Sequence, residues 1–232
     1  SRGLGDVYKR QEIMMNNNLK IGMEAPDFDA VSTMGDISLS SYKGKWIVFF
    51  SHPNDFSPIC TTEIIGLAKA DTYFKKINTE LIGISVDSLN SHLAWLYDIY
   101  LKTGLIVNFP IIADQNGVIA RKYGMISNDV SSTETVRNIF IIDDKGIIRS
   151  IFVYPMNIGR YIPEILRTVT ALQYSDQNNC MTPANWSPGN PMIVPPPKTF
   201  NALRERNESI NKNRNGMSWY LSFKNLETKK LE

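Results

Sequence analysis

Along most of the chain the apolar positions switch between two periods, short β-rich runs giving way to stretches with a helical stripe. Trp46–Ser51 (WIVFFS), Leu81–Val86 (LIGISV) and Phe109–Ala113 (FPIIA) are short and almost wholly apolar. Such runs read as central strands covered on both faces. Between them Ile64, Leu67, Ala68, Phe74 and Ile77 share one stripe, and Leu89, His92, Leu93, Leu96 and Tyr100 form a second behind Ser88 as a cap. Two helices flanking the sheet are predicted. Asn138–Ile142 and Ile147–Tyr154 are separated by Asp143-Asp144-Lys145-Gly146, which predicts a hairpin at one side of the sheet. Ile162, Ile165, Leu166, Val169 and Leu172 then mark a closing helix. The alternation of strand and helix indicates an α/β fold, a sheet flanked by helices.

The two ends depart from this pattern. Ser1–Ile13 shows no periodicity, and Met14 and Met15 offer a more natural start, so residues 1–13 are expected to be a non-native or disordered leader. The sheet domain spans 20–174. After Gln173 the composition shifts, with half of the 12 prolines falling between Pro183 and Pro197. Beyond them lie a short predicted helix near Phe200–Asn207 and an aromatic cluster at Trp219, Tyr220 and Phe223. That is too little to bury a core alone, so 175–232 reads as a small C-terminal domain that docks on the first or on a partner subunit.

Composition narrows the function classes. The 25 basic residues nearly cancel the 23 acidic ones and no Lys/Arg run stands out, so neither nucleic acid nor a membrane surface is an expected partner. No apolar stretch nears the roughly 18 residues of a membrane span and no secretory leader is evident, which points to the cytoplasm. Cys60 and Cys180 are too few for a disulfide scaffold and too far apart for a zinc ribbon or a Cys-x-x-Cys pair. Any cysteine chemistry rests on one thiol, with or without help from the second.

Cys60 has the context for it. His52–Glu63 (HPNDFSPICTTE) runs from the end of a strand into the start of a helix, placing Cys60 in a first turn where unpaired backbone N–H groups and the helix dipole favour a thiolate. A free thiol of ordinary pKa, about 8.5, is only a few per cent ionised at pH 7, so such a setting matters. Ser57 offers a hydroxyl three residues earlier, and Pro53 and Pro58 restrict the loop and shield it. An arginine from elsewhere would complete a site for a developing oxyanion, and Arg137 at a strand entrance is the candidate. His52 reads equally as a backbone-satisfied strand end or as a pocket imidazole donating to oxidised sulfur. His92, on an apolar stripe, reads as a packed structural histidine, and two isolated histidines with distant cysteines offer no metal set.

These residues resemble the peroxiredoxins, whose signature Pro-x-x-x-Thr/Ser-x-x-Cys stands here as Pro53, Ser57 and Cys60. Ala25-Pro26-Asp27-Phe28, Thr61-Thr62-Glu63 and Arg137 followed by Ile139-Phe140-Ile141-Ile142-Asp143 extend the likeness over the sheet domain. Tyr154-Pro155, Gly159-Arg160, Leu172-Gln173, Thr182-Pro183-Ala184-Asn185-Trp186 and Val194-Pro195-Pro196 resemble the one-cysteine type, over about residues 20–226. The resemblance implies a thioredoxin-like fold, a central mixed sheet flanked by helices, with a small C-terminal dimerisation domain and assembly as a homodimer or a higher oligomer. It implies a thiol-dependent peroxidase reducing hydrogen peroxide and alkyl hydroperoxides through a cysteine sulfenic acid, regenerated by an external thiol reductant, with no cofactor and no metal. Cys60 is then the peroxidatic cysteine, Pro53, Ser57 and Arg137 shape and polarise the peroxide pocket, and His52, Glu63 and Arg160 surround or orient it. Cys180 reads as a resolving, a free or a packed thiol. The Gly-x-Ser-x-Gly motif of phospholipase-active relatives is absent from Ser41–Trp46, so no serine-dependent lipid hydrolysis is expected. The rival function is a peroxide sensor or holdase-like protein whose assembly responds to Cys60 oxidation.

Overall fold

The computed structural model describes residues 19–213 and 215–225, and the leader expected at 1–13 lies outside them. Contacts divide the chain into two compact units, one ending at Ile162 and the other beginning at Pro163. The division falls after the first residue of the closing helix, ahead of the compositional break after Gln173.

The first unit is built on a seven-stranded mixed sheet. Its strands are β1 (Asp29–Ser32), β2 (Gly35–Ser38), β3 (Trp46–Ser51), β4 (Thr79–Ser85), β5 (Ile111–Ala113), β6 (Arg137–Ile142) and β7 (Ile148–Tyr154), in the order β2-β1-β5-β4-β3-β6-β7. β3 runs parallel to β4 and antiparallel to β6, and β4 runs parallel to β5. Every residue of β3 and of β6 is buried, as continuous apolar runs require when both faces of a sheet are covered. Phe28, Phe49, Tyr123 and Phe140 meet edge-on or tilted within the core beside Ile82, Ile84 and Ile112. The predicted hairpin is the β6–β7 pair, at the sheet edge. Its turn closes because the Asp143 carboxylate accepts from the Lys145 and Ile147 amides while Gly146 takes φ of +85°, a conformation that costs glycine little.

The helices α1 (Pro58–Lys76), α2 (Leu89–Thr103) and α3 (Val118–Lys122) connect the strands. α1 starts on Pro58 at its first position, where a missing N–H costs nothing. α2 is capped by Ser88, whose Oγ accepts from the Ser91 amide, and it ends at Gly104 in the left-handed region. Its inward face differs from the predicted stripe. His92, Trp95 and Ile99 are buried, whereas Leu93 and Tyr100 are nearly half exposed. Apolar residues lie on more than one face of α2, so two stripes compete and only packing selects one. β1 and β2, four residues each with little alternation, were not predicted.

The second unit contains nearly all of α4 (Ile162–Asn178), then β8 (Met192–Ile193), α5 (Phe200–Asn213), β9 (Gly216–Ser218) and β10 (Leu221–Lys224). The last three strands, absent from the sequence prediction, form a small sheet in the order β8-β10-β9. α5 runs six residues beyond the expected end. Ala171, Cys180, Trp186 and Met192 pack together with Tyr174 against them. Ser222 is buried and accepts a hydrogen bond from Arg206 Nη1 at 2.8 Å. No helix among the described residues is long and apolar enough to cross a membrane.

Candidate active site

β3 delivers His52 at the carboxyl end of a central strand, the edge of an open α/β sheet where ligand crevices form. The chain then turns through Pro53–Ser57 and enters α1, with Cys60 as its third residue. Ser57 occupies the N-cap position with extended backbone (φ −78°, ψ 145°), yet its hydroxyl makes no capping bond. Ser57 Oγ is buried with no partner among the described residues. No acidic residue occupies the first turn of α1, so the free N–H groups and the hydroxyl beside Cys60 remain available to an incoming anion or oxygen. Pro53 is buried, but Pro58 is exposed and does not shield the loop as expected. Phe56 holds φ at +56°, a strained conformation for an aromatic residue, within this same loop.

A buried charged set faces the sulfur. Arg137, the first residue of β6, donates through Nη1 to Cys60 Sγ at 3.3 Å and to Glu63 Oε2 at 2.8 Å. Its Nε donates to the Met156 carbonyl at 3.0 Å. Glu63, one turn after Cys60, also accepts from Arg160 Nε at 2.9 Å, Arg160 Nη2 at 2.6 Å and the Arg160 amide at 2.8 Å. Arg160 Nη1 donates to the carbonyls of Ser51 and Asn138, and its guanidinium lies over the Phe50 ring. Burial works to raise the Glu63 carboxyl, but the hydrogen bonds and charge of Arg160, with Arg137 behind, hold it below the ordinary range. Two guanidiniums against one carboxylate leave one positive charge unbalanced beside Sγ, the environment in which a cysteine nucleophile operates.

The structure brings together Cys60, Glu63, Arg137 and Arg160, with Ser57 and Pro53 in the adjoining loop. Cys180 lies in the second unit, 5% exposed, in the cluster around Trp186. The histidines are not isolated. His52 Nε2 lies 3.0 Å from Asp55 Oδ1 and His92 Nδ1 lies 2.8 Å from Asp55 Oδ2, all three side chains being buried. Asp55 went unnoticed in the sequence, although its place three residues after His52 is what a tight loop needs to fold a side chain back. Trp95 was missed as well; its ring lies 5.2 Å from that of His52, and its Nε1 donates to Thr61 Oγ1 at 3.2 Å. Because a carboxylate only accepts, His52 holds its hydrogen on Nε2. Its buried Nδ1 is therefore an acceptor, so the expected donation to oxidised sulfur does not fit this tautomer. With both histidines committed to Asp55, neither of the chain's two imidazoles serves Ser41, whose hydroxyl donates to the Ser38 carbonyl.

The residues from 21 to 151 match the AhpC/TSA family, and those from 171 to 209 match the C-terminal domain of 1-Cys peroxiredoxin. This chain belongs to the peroxiredoxins, in the one-cysteine type. Its relatives include Peroxiredoxin 2 of Caldanaerobacter subterraneus subsp. tengcongensis, 52% identical over 89% of this chain and 93% of that protein. A solved yeast mitochondrial 1-Cys peroxiredoxin, with a thiol resolving mechanism through glutathione/thioredoxin systems, is 39% identical at a TM-score of 0.78 and covers 90% of this chain and 100% of its own. A variant of Peroxiredoxin 6 of Arenicola marina is 30% identical at the same TM-score of 0.78, over 91% and 100%. The fold of this peroxiredoxin is thioredoxin-like, and its activity is that of a thiol-dependent peroxidase.

The ionisation of the site gives the peroxiredoxin a pH dependence of stability. Burial holds His52 below its ordinary value of 6.5, so the unfolded chain takes up that proton first as pH falls. Glu63 is likewise held below its ordinary value of 4.5, and the sign is the same. Stability is therefore present above pH 6.5 and declines below it, more steeply below pH 4.5. Urea denaturation midpoints measured from pH 6.5 to 4 should fall steadily; a constant midpoint would remove both groups from the account.

Proposed function

We propose that Cys60 is the peroxidatic nucleophile, acting on hydrogen peroxide and small alkyl hydroperoxides. The observation that carries this is the Arg137 Nη1 contact to Sγ at the first turn of α1, beside the unpartnered Ser57 hydroxyl. The thiolate attacks the terminal peroxide oxygen, the O–O bond breaks, and the departing alkoxide or hydroxide takes a proton to leave as alcohol or water. Sulfur is oxidised to the sulfenic acid as the peroxide is reduced. Arg137 and Ser57 stabilise the charge on the leaving oxygen, Pro53 fixes the loop, and Glu63 and Arg160 hold Arg137 in place. His52 borders the pocket. Arg137→Ala should slow Cys60 oxidation about 10²- to 10³-fold, the usual loss for one oxyanion donor, as read by stopped-flow fluorescence.

An external thiol then attacks the sulfenic sulfur, releasing water and forming a mixed disulfide that a second thiol reduces. Cys60 is fully buried, so the thiol reaches it only when the 53–58 loop opens. The mechanism ascribed to the yeast relative makes a glutathione- or thioredoxin-type reductant the proposed partner. Two free cysteines fit a reducing compartment, and the cytoplasm is proposed. Among the described residues strand β7 bounds the sheet, residues 22–24 pair with it near Ile147 and Ile148, and Val153 on it is 68% exposed. The strand end around Val153 suits a second copy, giving a homodimer.

The test is the intact mass after one equivalent of peroxide, with non-reducing electrophoresis, on wild type and Cys180→Ser. Gain of one oxygen in both, followed by catalytic peroxide loss with a supplied thiol, supports the reading. A Cys60–Cys180 disulfide in wild type would make Cys180 the resolving thiol. Peroxide loss that stops at one equivalent while oligomer size changes would favour the sensor or holdase.

A further inference from the structure

Asp55 anchors the loop that carries the proposed nucleophile. Its backbone N–H donates to Asp87 Oδ2 at 3.1 Å, and its carboxylate is buried between His52, just after β3, and His92 from α2. Among the described residues no Lys or Arg pairs with it, its ion-pair partners being the two histidines. An unneutralised buried carboxylate is costly, and the nearby Asp87 adds a second negative charge. One of the two imidazoles must supply the compensating proton, and hydrogen-bond chemistry says which. His92 Nε2 lies 3.1 Å from the Ile112 carbonyl, which only accepts, and His92 Nδ1 lies 3.0 and 2.8 Å from the two Asp55 oxygens. Both nitrogens of His92 face acceptors. His52 faces one, and its Nδ1 has no hydrogen-bond partner among the described residues.

The three side chains offer ligand atoms within 4.8 Å of one another, a spacing that also suits a metal ion. A histidine that ligates through one nitrogen almost always donates its other N–H to a partner, and His52 Nδ1 has none among the described residues. The arrangement suits protons better than a cation.

We propose that His92 is a positioning residue for the peroxide site: it carries hydrogens on both ring nitrogens, and its ion pair with Asp55 locks the 52–57 loop onto α2 and holds His52 in the single tautomer with Nδ1 bare. Three consequences connect. The Asp55 clamp lets Phe56 persist at positive φ, which sets the direction in which the chain enters α1 at Pro58. The entry direction places Ser57 Oγ and Cys60 Sγ. The fixed tautomer leaves His52 Nδ1 as a bare, buried acceptor.

The inference rests on Cys60 as the nucleophile only in its kinetic half, so the test has two independent arms. The chain has two histidines, which makes the imidazole ¹⁵N NMR spectrum of the full-length protein assignable with one variant. At pH 7 the wild type should show one ring with both nitrogens protonated, lost in His92→Gln, and one ring protonated at Nε2 alone. Two neutral rings, or zinc retained at one equivalent after dialysis against a chelator, would overturn the proposal whatever the fate of peroxide. In the kinetic arm, His92→Gln and Asp55→Asn should slow Cys60 oxidation about 10- to 100-fold, the scale of an ångström-sized misplacement. The His52 ring should then lose its single tautomer. Wild-type oxidation rates, or an unchanged His52 spectrum, in a folded variant would overturn the positioning role. Should both variants fail to fold, the wild-type spectrum alone decides. Peroxide turnover that survives Cys60→Ser would refute the nucleophile without touching the proton count.

Discussion

Replacing Cys60 by serine should reduce peroxide turnover to the uncatalysed background, a loss of about 10⁴-fold or more, because a serine hydroxyl at neutral pH is not a nucleophile toward the O–O bond. The fold should survive. Serine differs by one atom, and Arg137 Nη1, which donates to Sγ at 3.3 Å, can donate to Oγ instead. Thermal unfolding should therefore shift by no more than about 1–2 kcal/mol. Peroxide consumption in the presence of excess thiol measures the first quantity and circular dichroism the second. Retained turnover in a folded variant would mean that another group performs the chemistry, and Cys180, buried in the second unit, would be the next candidate.

The largest stability effect is expected at Glu63. Its carboxylate accepts from both guanidiniums and from the Arg160 amide, and it is 3% exposed. Glu63→Gln keeps the shape but removes the charge, and it turns one acceptor into an NH₂ that must face arginine donors. Two buried cations are then left without a counter-charge. Removing one partner of a buried ion pair typically costs 3–5 kcal/mol, about this much is expected here, and equilibrium urea denaturation at pH 7.5 reads it directly. The comparison with Arg160→Met is informative, since it removes one cation and leaves the Glu63–Arg137 pair matched; it should cost less. Equal stability of wild type and Glu63→Gln would show that water, not the carboxylate, compensates the arginines.

The outcome at Glu63 also separates stability from catalysis. A variant that remains folded but lets Arg137 drift should lose peroxide reactivity in proportion to the Arg137→Ala variant. The shared Nη1 of Arg137, bonded to both Glu63 and Cys60, is the physical link between the two effects.

Much of the first unit was legible because its strands are continuous apolar runs between turn residues. Trp46–Ser51 is β3 to the residue, and the Asp143–Gly146 composition produces the β6–β7 hairpin it suggests. Cys60 was legible for a local reason, since strand, loop and helix start follow one another in a dozen residues. Arg137 and Arg160 could be named from the family pattern, but nothing in the sequence showed that one carboxylate would bind both. α2 shows where pattern reading fails. Its residues are apolar on more than one face, so the choice of His92, Trp95 and Ile99 for the interior depends on what β5 and the His52–Thr61 segment present to it. β8, β9 and β10 were invisible because strands of two to four residues carry too few positions for a period to register.

Local order along the chain thus determined the sheet strands, the helix start under Cys60 and the likeness to one-cysteine peroxiredoxins, all properties set by neighbours within a few residues. Tertiary structure alone decided which groups share a charge. Glu63 meets Arg137 and Arg160 from 74 and 97 residues away, and Asp55 meets His92 from 37 residues away. A buried charge must find its partner wherever the fold places one, and sequence separation carries no record of that distance.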